Sequence, residues 1–368
     1  MDESDKPATG YRDLWKEYLG VMEKTKKPPK LFNKFKWEDI LAHLRLISHD
    51  MIDFEQFEEV AQVYCSMADI YAKLENPLNQ RKYYLKAART YYQLLKNRFE
   101  IRYSTHTDFG DSMEECFLKV IDLSINMNLI HFSGIIFAEM ANCFISVQNY
   151  ETAHRYFLKG ARILQSDFFD EISIMKQMIS NSSHFSDMNE PLSDIFSLWQ
   201  PFCKKFPHKE TEEGPNAPEK SEEKLREAMK SFEIDFILIS LKRFLKHDEL
   251  GKTILPDYDG NFRTNLRTSV LNKREFEEIS KFIAAVKERN HFDAGAIYIT
   301  ELMVDIDELG RGLIKEILNM IEQRPIIGQP LKDIIEEEGL SGRERMRKMF
   351  EFHALNYREK APRPEFAE

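Results

Sequence analysis

Histidine and cysteine are the side chains that most often bind metal ions or act as nucleophiles, and the chain has ten histidines and four cysteines. Neither type occurs at ligand spacing, since the sequence has no H-E-x-x-H and no C-x-x-C. His43 and His49 are six residues apart and face different directions on one helix. His131 and His154 are interpreted as capping or surface residues. We therefore expect no metal site, no bound cofactor and no dithiol redox motif; the cysteines are far apart, at Cys65, Cys116, Cys143 and Cys203.

Two short segments superficially resemble ligand-binding loops. Residues 257–261, DYDGN, begin like a calcium loop, but counted from Asp257 the glycine is fourth and position twelve is Thr268. An EF-hand has glycine at position six and glutamate at twelve, so an Asp-Gly turn is the better interpretation. Residues 309–316, LGRGLIKE, contain two glycines, but no strand precedes them to build a phosphate-binding loop.

Enzymatic chemistry has little support in the sequence. No P-loop, dinucleotide-binding or nucleophile-elbow motif is present. Paired carboxylates occur at Glu58-Glu59, Glu114-Glu115 and 336–338, but they fall in helical runs and are interpreted as solvated faces. The sequence favours a non-enzymatic protein, and an enzyme built on a helical scaffold is the weakest hypothesis.

Two basic segments are candidates for binding a partner. KKPPKLFNKFK interleaves lysines with Phe32 and Phe35, and could dock an acidic protein surface or anionic lipid headgroups. GRERMRKMF, 342–350, places two arginines and a phenylalanine on one face of a late helix. The ordinary interpretations are a solvated loop and an amphipathic helix. The candidate partner-binding residues are Lys24, Lys26, Lys27, Lys30, Lys34, Lys36, Arg343, Arg347 and Phe350.

Composition limits the remaining classes of function. A net charge of −10 argues against a nucleic-acid partner, because such domains usually carry a positive excess. The longest apolar runs, such as FILISL at 236–241, are too short to cross a bilayer, and MDESDKPATG is unlike a signal peptide. We expect a cytoplasmic, reduced protein without an integral membrane segment.

Helical periodicity supplies the frame that positions these residues. Apolar side chains recur at i, i+3, i+4 and i+7, and the breaks between helical runs, such as Asn76-Pro77 and Gln148-Asn149, have the chemistry of helix ends. The sequence therefore predicts an all-α protein. The predicted helices are 11–25, 36–49, 54–74, 77–97, 109–128, 131–147 and 150–166, and, after residue 225, approximately 225–247, 272–289, 292–308, 311–323, 328–338 and 341–355.

An apolar landmark repeats in steps of twenty residues, which is the length of one helix and a tight turn, with one longer step from Tyr84 to Phe117 that contains a polar loop at 97–111. Segments 64–92 and 137–164 also match the tetratricopeptide (TPR) consensus, in which small residues let two helices approach. The pattern predicts a right-handed, TPR-like α-solenoid of antiparallel helices, and an ordinary antiparallel bundle is the alternative. The repeat positions are Tyr64, Ala68, Tyr84, Ala87, Phe137, Ala141, Ala153, Phe157, Gly160 and Ala161.

Composition divides the chain into regions. Residues 207–224 are rich in proline and glutamate and predict a disordered linker. Trp199 and Phe202, just before it, suggest an aromatic surface that a partner covers. The predicted organisation is a loose N-terminus (1–10), TPR-like repeats (11–206), the linker (207–224), further helical repeats (225–356) and a loose tail (357–368).

In its layout the chain resembles the family of forty-kilodalton huntingtin-associated proteins, and its repeats look like those of the alpha-SNAP adaptors. The resemblance runs through YRDLWKEYLGVMEK, KKPPKLFNKFK, KAARTYYQLLKN and YETAHRYFLKGARIL to the linker and a last set of helices. The linker here is short and acidic, and phenylalanine stands where the family would have alanine and leucine. We therefore interpret the chain as a divergent orthologue.

The resemblance implies a scaffold that binds and stabilises huntingtin, a very large HEAT-repeat protein, as a constitutive heterodimer. It also implies a role in early-endosome traffic through a small GTPase, with locations in the cytoplasm, at early endosomes and in the nucleus. The alternative is an alpha-SNAP-like adaptor in SNARE-dependent vesicle fusion. Those adaptors end in an acidic, leucine-rich tail, whereas this chain ends in APRPEFAE, so the alternative ranks second.

Overall fold

The computed structural model describes residues 13–26, 37–101, 109–164, 167–185, 187–205, 220–247, 270–303 and 306–322. Within these ranges the chain is helical and has no β-strand, which confirms the predicted all-α class. A π-helical turn, Tyr298–Leu302, extends the twelfth helix. The helices are α1 (Leu14–Lys26), α2 (Trp37–Asp53), α3 (Phe57–Lys73), α4 (Pro77–Glu100), α5 (Phe109–Asn126), α6 (Ile130–Ser146), α7 (Tyr150–Ile163), α8 (Phe168–Ser182), α9 (Asn189–Lys205), α10 (Lys220–His247), α11 (Lys273–Lys287), α12 (His291–Ile297) and α13 (Glu308–Ile321).

Several of the connections between helices are tight turns of one kind. Glu55, Glu75, Asn128, Gln148 and Arg289 have positive φ, directly after the helices that they end. The next residue closes the turn with a six-to-one hydrogen bond, as in Schellman motifs. After three of these turns an asparagine caps the following helix: Asn76 accepts from the backbone N–H of Asn79, Asn149 from that of Thr152, and Asn290 from that of Asp293. The breaks predicted at Asn76-Pro77 and Gln148-Asn149 are thus helix boundaries.

The helices α1 to α10 form two rows. From α1 to α9 each helix packs on the next one in the chain, and α9 meets α10 through the rings of Trp199 and Phe232. We call α1, α3, α5, α7 and α9 the odd row, and α2, α4, α6, α8 and α10 the even row. Side-chain contacts join neighbours within each row, as expected of a solenoid. In the odd row these are Tyr18–Ser66, Cys65–Cys116, Glu114–Tyr156 and His154–Asp194, and in the even row Arg45–Tyr83, Arg89–Glu139, His131–Asp170 and Lys176–Ser231.

Small residues set the distance between the helices. All ten predicted repeat positions except Tyr64, which is half-buried, lie in the core. Gly160 of α7 lies against the backbone carbonyl of Gly134 in α6, so that a Cβ at position 160 would be 3.0 Å from that oxygen. The two TPR-like segments begin in different rows, one with α3 and the other with α6. They are therefore not two copies of the same hairpin in register.

The sequence periodicity missed α8 and α9, and the C-terminal helices differ in their boundaries from the predicted ones. α10 begins at Lys220, within the segment predicted as a linker, and packs against α8 and α13. The helix predicted at 292–308 is divided into α12 and the π-helical turn. The rest of the linker and the helices predicted at 328–338 and 341–355 lie outside the described residues.

None of the helices in the described part of the chain is long and apolar enough to cross a membrane.

Candidate interaction surface

One edge of the array carries a row of exposed apolar side chains. Because successive helices run antiparallel, the α3–α4, α5–α6 and α7–α8 connections lie on the same edge. Leu78 is 59% exposed there and Phe169 47%. Single exposed apolar side chains are common, but a row of large ones is unusual on a protein surface. We call this surface the apolar edge and define it by Leu74, Leu78, Ile125, Leu129, Ile130 and Phe169.

Three contacts show that the helix ends along the apolar edge are neighbours. The Lys73 ammonium, at the end of α3, lies 5.2 Å from the centre of the Trp37 ring at the start of α2. The Arg81 guanidinium, in the first turns of α4, lies 4.5 Å from the centre of the Phe132 ring in α6. His131 Nε2, also in α6, lies 2.7 Å from the carboxylate of Asp170 in α8. The starts of α2, α4, α6 and α8 are therefore held side by side.

The opposite edge of the array has a smaller exposed set at the ends of α2 and α4. It consists of Ile52, Phe54, Phe99 and Ile101. Elsewhere, Ile299 and Met303 form a small exposed pair at the π-helical turn, whereas Leu46 in the middle of α2 is isolated, which is normal for a protein surface. The apolar edge is therefore the longer of the two apolar rows among the described residues.

Only part of the predicted basic segment can be placed. Lys24 is exposed in the last turns of α1, and Lys26 is the final residue of that helix. Trp37, which follows the segment, lies beside Lys73 at the apolar edge. α2 thus begins on this edge. The other candidate residues, Lys27, Lys30, Lys34, Lys36, Arg343, Arg347 and Phe350, lie outside the described residues.

Two groups of side chains could each offer three ligand atoms to a metal ion. They are His131 with Asp167 and Asp170, and His49 with Asp50 and Asp53. Both groups are exposed or half-buried, and in both a histidine ring nitrogen lies within 3.3 Å of a carboxylate oxygen. Asp167 also caps α8 by accepting from the backbone N–H of Asp170. Contacts among these side chains at helix ends account for both groups.

Three sequence interpretations are corrected by the packing. His154 is not a surface residue: it is 6% exposed, its Nε2 lies 3.1 Å from the Asp194 carboxylate, and burial lowers its pKa. Trp199 does not form an open aromatic surface, because its ring lies 4.6 Å from that of Phe232 in α10. Glu114 is not simply solvated, since it accepts a hydrogen bond from the Tyr156 hydroxyl. The side chain of Phe202 lies outside the described residues.

A polar cluster joins the repeat helices to the later helices. Lys176 of α8 donates to the Ser231 hydroxyl of α10 at 2.6 Å and to the Asp307 carboxylate at 2.5 Å. Asp307 also caps α13 by accepting from the backbone N–H of Gly310. Asp235 of α10 is 1% exposed and lies 3.5 Å from the Lys176 ammonium. We call Lys176, Ser231, Asp235 and Asp307 the polar junction.

Burial and a neighbouring like charge shift the acidity of the polar junction. Burial, followed by the charge of Asp307, raises the pKa of Asp235 to about 7. Asp307 has its pKa lowered, because hydrogen bonds from Gly310, Lys176 and Ser231 outweigh its partial burial. A Cβ at Gly310 would lie 2.8 Å from Asp235 Oδ1, so the glycine in LGRGLIKE permits close packing of α13 on α10. The cluster explains this glycine without any bound phosphate.

Comparison with known proteins adds no family to this description. A scan against models of protein families finds none that matches the chain, and a search of curated proteins finds no match. The relation to the huntingtin-associated family therefore depends on the layout of the sequence alone.

Proposed function

We propose that the chain is a non-enzymatic scaffold that binds a larger helical-repeat protein, and that the apolar edge is part of the contact. The observation that carries this proposal is the row of exposed leucine, isoleucine and phenylalanine side chains across α3 to α8. Such a row is costly to leave in water, and burying it against a partner contributes roughly 25 cal/mol per Å² of apolar surface. The right-handed, TPR-like sense of the solenoid belongs to the same proposal.

The form of the apolar edge suits a partner that is itself built from helices. Helices in one row pack at about 8–10 Å from their neighbours, so the edge offers evenly spaced ridges of side chains. A second helical-repeat surface presents grooves at the same spacing. The layout resemblance supports huntingtin as that partner, in a constitutive heterodimer within the cytoplasm. A link to an early-endosomal small GTPase, and a nuclear pool, are the finer parts of this proposal.

Purification of the tagged chain from its source cells tests the proposal. We expect one very large helical-repeat protein to co-purify in near-equal amount, as identified by mass spectrometry. Replacing Leu78 and Ile130 with serine should reduce the co-purified partner about tenfold or more, since hot-spot residues each contribute more than ~1 kcal/mol. The matched control is Leu46→Ser, which removes an equally exposed leucine outside the edge.

Two outcomes would contradict the proposal. If no large helical-repeat protein co-purifies, the scaffold function fails. If the partner is retained equally by the edge variant and by the Leu46→Ser control, the function stands but the apolar edge is not the contact surface.

An alpha-SNAP-like adaptor in vesicle fusion is the second candidate. The two-row helical array supports it, because those adaptors are also arrays of antiparallel helices. Stimulation of the fusion ATPase on assembled SNARE helices is the direct test. A chain that gives no stimulation in this assay is not such an adaptor.

A further inference from the structure

Cys65 and Cys116 lie together although 51 residues separate them in the chain. Their Sγ atoms are 3.6 Å apart, at the seam where α3 and α5 pack within the odd row. Cys65 is half-buried and Cys116 is buried. We propose that these two cysteines form a reversible disulfide when the protein meets a hydroperoxide. This modification site is independent of the scaffold function.

The distance between the sulfurs suits this chemistry. A disulfide has an S–S length of about 2.05 Å, so closure needs an approach of only about 1.5 Å. Adjacent helices shift by this amount through side-chain rotation and small movements of the backbone. Among the described cysteines, Cys143 of α6 is buried and is not paired with another cysteine, so it serves as an internal reference.

The surroundings give the two thiols different roles. The two sulfurs share a hydrogen bond, and this bond, helped by the nearby charge of Lys119, lowers the pKa of Cys65 despite partial burial and the charges of Asp69 and Glu115. The same hydrogen bond and burial raise the pKa of Cys116. Cys65 is therefore the thiol that reacts first. By contrast, burial raises the pKa of Cys143 to about 12.

The reaction proceeds in two steps that balance. The Cys65 thiolate attacks one peroxide oxygen, the O–O bond breaks, and Cys65 becomes a sulfenic acid while hydroxide leaves. The Cys116 sulfur then attacks the sulfenic sulfur, the S–O bond breaks, and the S–S bond forms. The Cys116 proton goes to the departing oxygen, which leaves as water. Two thiols lose two electrons in total, and hydrogen peroxide is reduced to two waters; a dithiol reductant reverses the oxidation.

The closed disulfide would tie α3 directly to α5. Close beside it, Tyr84 donates to the Asp69 carboxylate at 2.5 Å, and Lys119 lies over the Tyr84 ring. These residues already link the same helices, so the bridge reinforces a contact that the reduced protein makes. We therefore expect oxidation to raise the thermal midpoint rather than to unfold the array.

Peptide mapping of the full-length wild-type chain tests the proposal. The chain is treated with hydrogen peroxide, the free thiols are alkylated, and the protein is digested with trypsin. Cys65 falls in the peptide 46–73, Cys116 in 103–119 and Cys143 in 120–155. We expect a cross-linked peptide that joins the first two and lacks two hydrogens, which a dithiol restores, while Cys143 remains alkylated.

Substitutions assign the two roles. In Cys116→Ser, Cys65 should accumulate as a sulfenic acid that reacts with dimedone, because no second thiol resolves it. In Cys65→Ser neither the sulfenic acid nor the cross-link should form, and Cys143→Ser should behave like the wild type. The proposal is overturned if wild-type Cys65 is oxidised to sulfinate while Cys116 remains alkylatable, or if both stay reduced. The peptide map of the wild-type protein is enough to decide between these outcomes, so the test remains valid even if a variant does not fold.

Discussion

The ammonium group of Lys176 lies 2.5 Å from the carboxylate of Asp307, although the two residues are 131 positions apart. Lys176 belongs to α8, in the even row of the repeat helices, whereas Asp307 caps the last described helix, α13. With Ser231 and Asp235 of α10 they connect three helices through charged and polar groups. Burial makes each of these groups dependent on its partners, so the polar junction is where the described C-terminal helices are most sensitive to a single change.

Replacing Lys176 with methionine should destabilise the protein. The buried Asp235 carboxylate and that of Asp307 would face each other without a cation. Removing one member of a buried ion pair costs about 3–5 kcal/mol, and because Lys176 and Asp307 are partly exposed we expect roughly 2 kcal/mol at pH 8. Urea unfolding followed by circular dichroism measures it. Lys281→Met, which breaks the exposed pair with Glu301, should change the free energy of unfolding by less than ~1 kcal/mol. Equal losses in the two variants would contradict the prediction.

The polar junction should also make stability depend on pH. Because the pKa of Asp235 rises from 3.8 to about 7 on folding, the folded state holds this proton more tightly than the unfolded state. Its contribution to stability is complete below pH 4 and is lost as the pH rises to about 7. The Asp235→Asn variant has no carboxyl group to titrate at this position and serves as the reference. Between pH 4 and pH 7 the free energy of unfolding of the wild type should fall, relative to that of the variant, on the order of a few kcal/mol.

The measurement is urea unfolding of both proteins at several pH values. Because the pKa of Asp307 is lowered, this residue makes the free energy of unfolding fall as the pH is lowered through the acid range. Asp307 is present in both proteins, so its effect cancels when one curve is subtracted from the other. Above pH 8 the difference between the two curves should be constant. A difference that does not vary with pH would show that Asp235 is ionised throughout.

Local chemistry explains what the sequence could predict about the fold. Asn76 and Pro77 end one helix and begin the next through interactions within a few residues, so this boundary was predicted correctly. Pro201 lies in the last turns of α9 and weakens the helix signal there, but α8, which the periodicity also missed, has no proline. The twenty-residue spacing also anticipated the burial of the alanines and phenylalanines.

The candidate surface could not be predicted in the same way, because it depends on which helix ends lie on one edge. Leu78 and Phe169 are ordinary apolar residues in the sequence, and only the antiparallel order of the helices brings them into one row. The same is true of Cys65 and Cys116, whose separation carries no motif. The apolar edge could be recognised in the sequence only by someone who already knew where each helix begins and ends, because its residues lie at every second connection between helices.

The tight turns offer a stabilising substitution. Glu75 has φ of 53° between α3 and α4, a left-handed conformation that costs a non-glycine residue about 1–2 kcal/mol. Glycine adopts it without strain but loses more entropy on folding, so Glu75→Gly should stabilise the protein by roughly 0.5–1 kcal/mol. Thermal unfolding measures the change. Lys82→Gly, at an exposed position within α4, should instead destabilise by about 1 kcal/mol. If both glycines destabilise equally, the turn is not under strain.

Gly134 of α6 lies against the side chain of Leu164, the residue that follows α7, so a larger residue at position 134 should be harmful. A Cβ there would lie 2.4 Å from Cγ of Leu164, a side chain that is itself buried at the end of α7. Alanine gains about 1 kcal/mol in helix propensity, but overpacking costs about 1–3 kcal/mol, so we expect Gly134→Ala to destabilise by roughly 1 kcal/mol.

Gly20 is the matched control, since it is also within a helix but has open space around the added methyl group. Gly20→Ala should stabilise by up to about 1 kcal/mol, which makes the two alanine substitutions opposite in sign. Urea unfolding of both variants decides the question. If Gly134→Ala were as stabilising as Gly20→Ala, α6 and α7 would not pack as closely as described. The fold would then not require glycine at the facing positions 134 and 160.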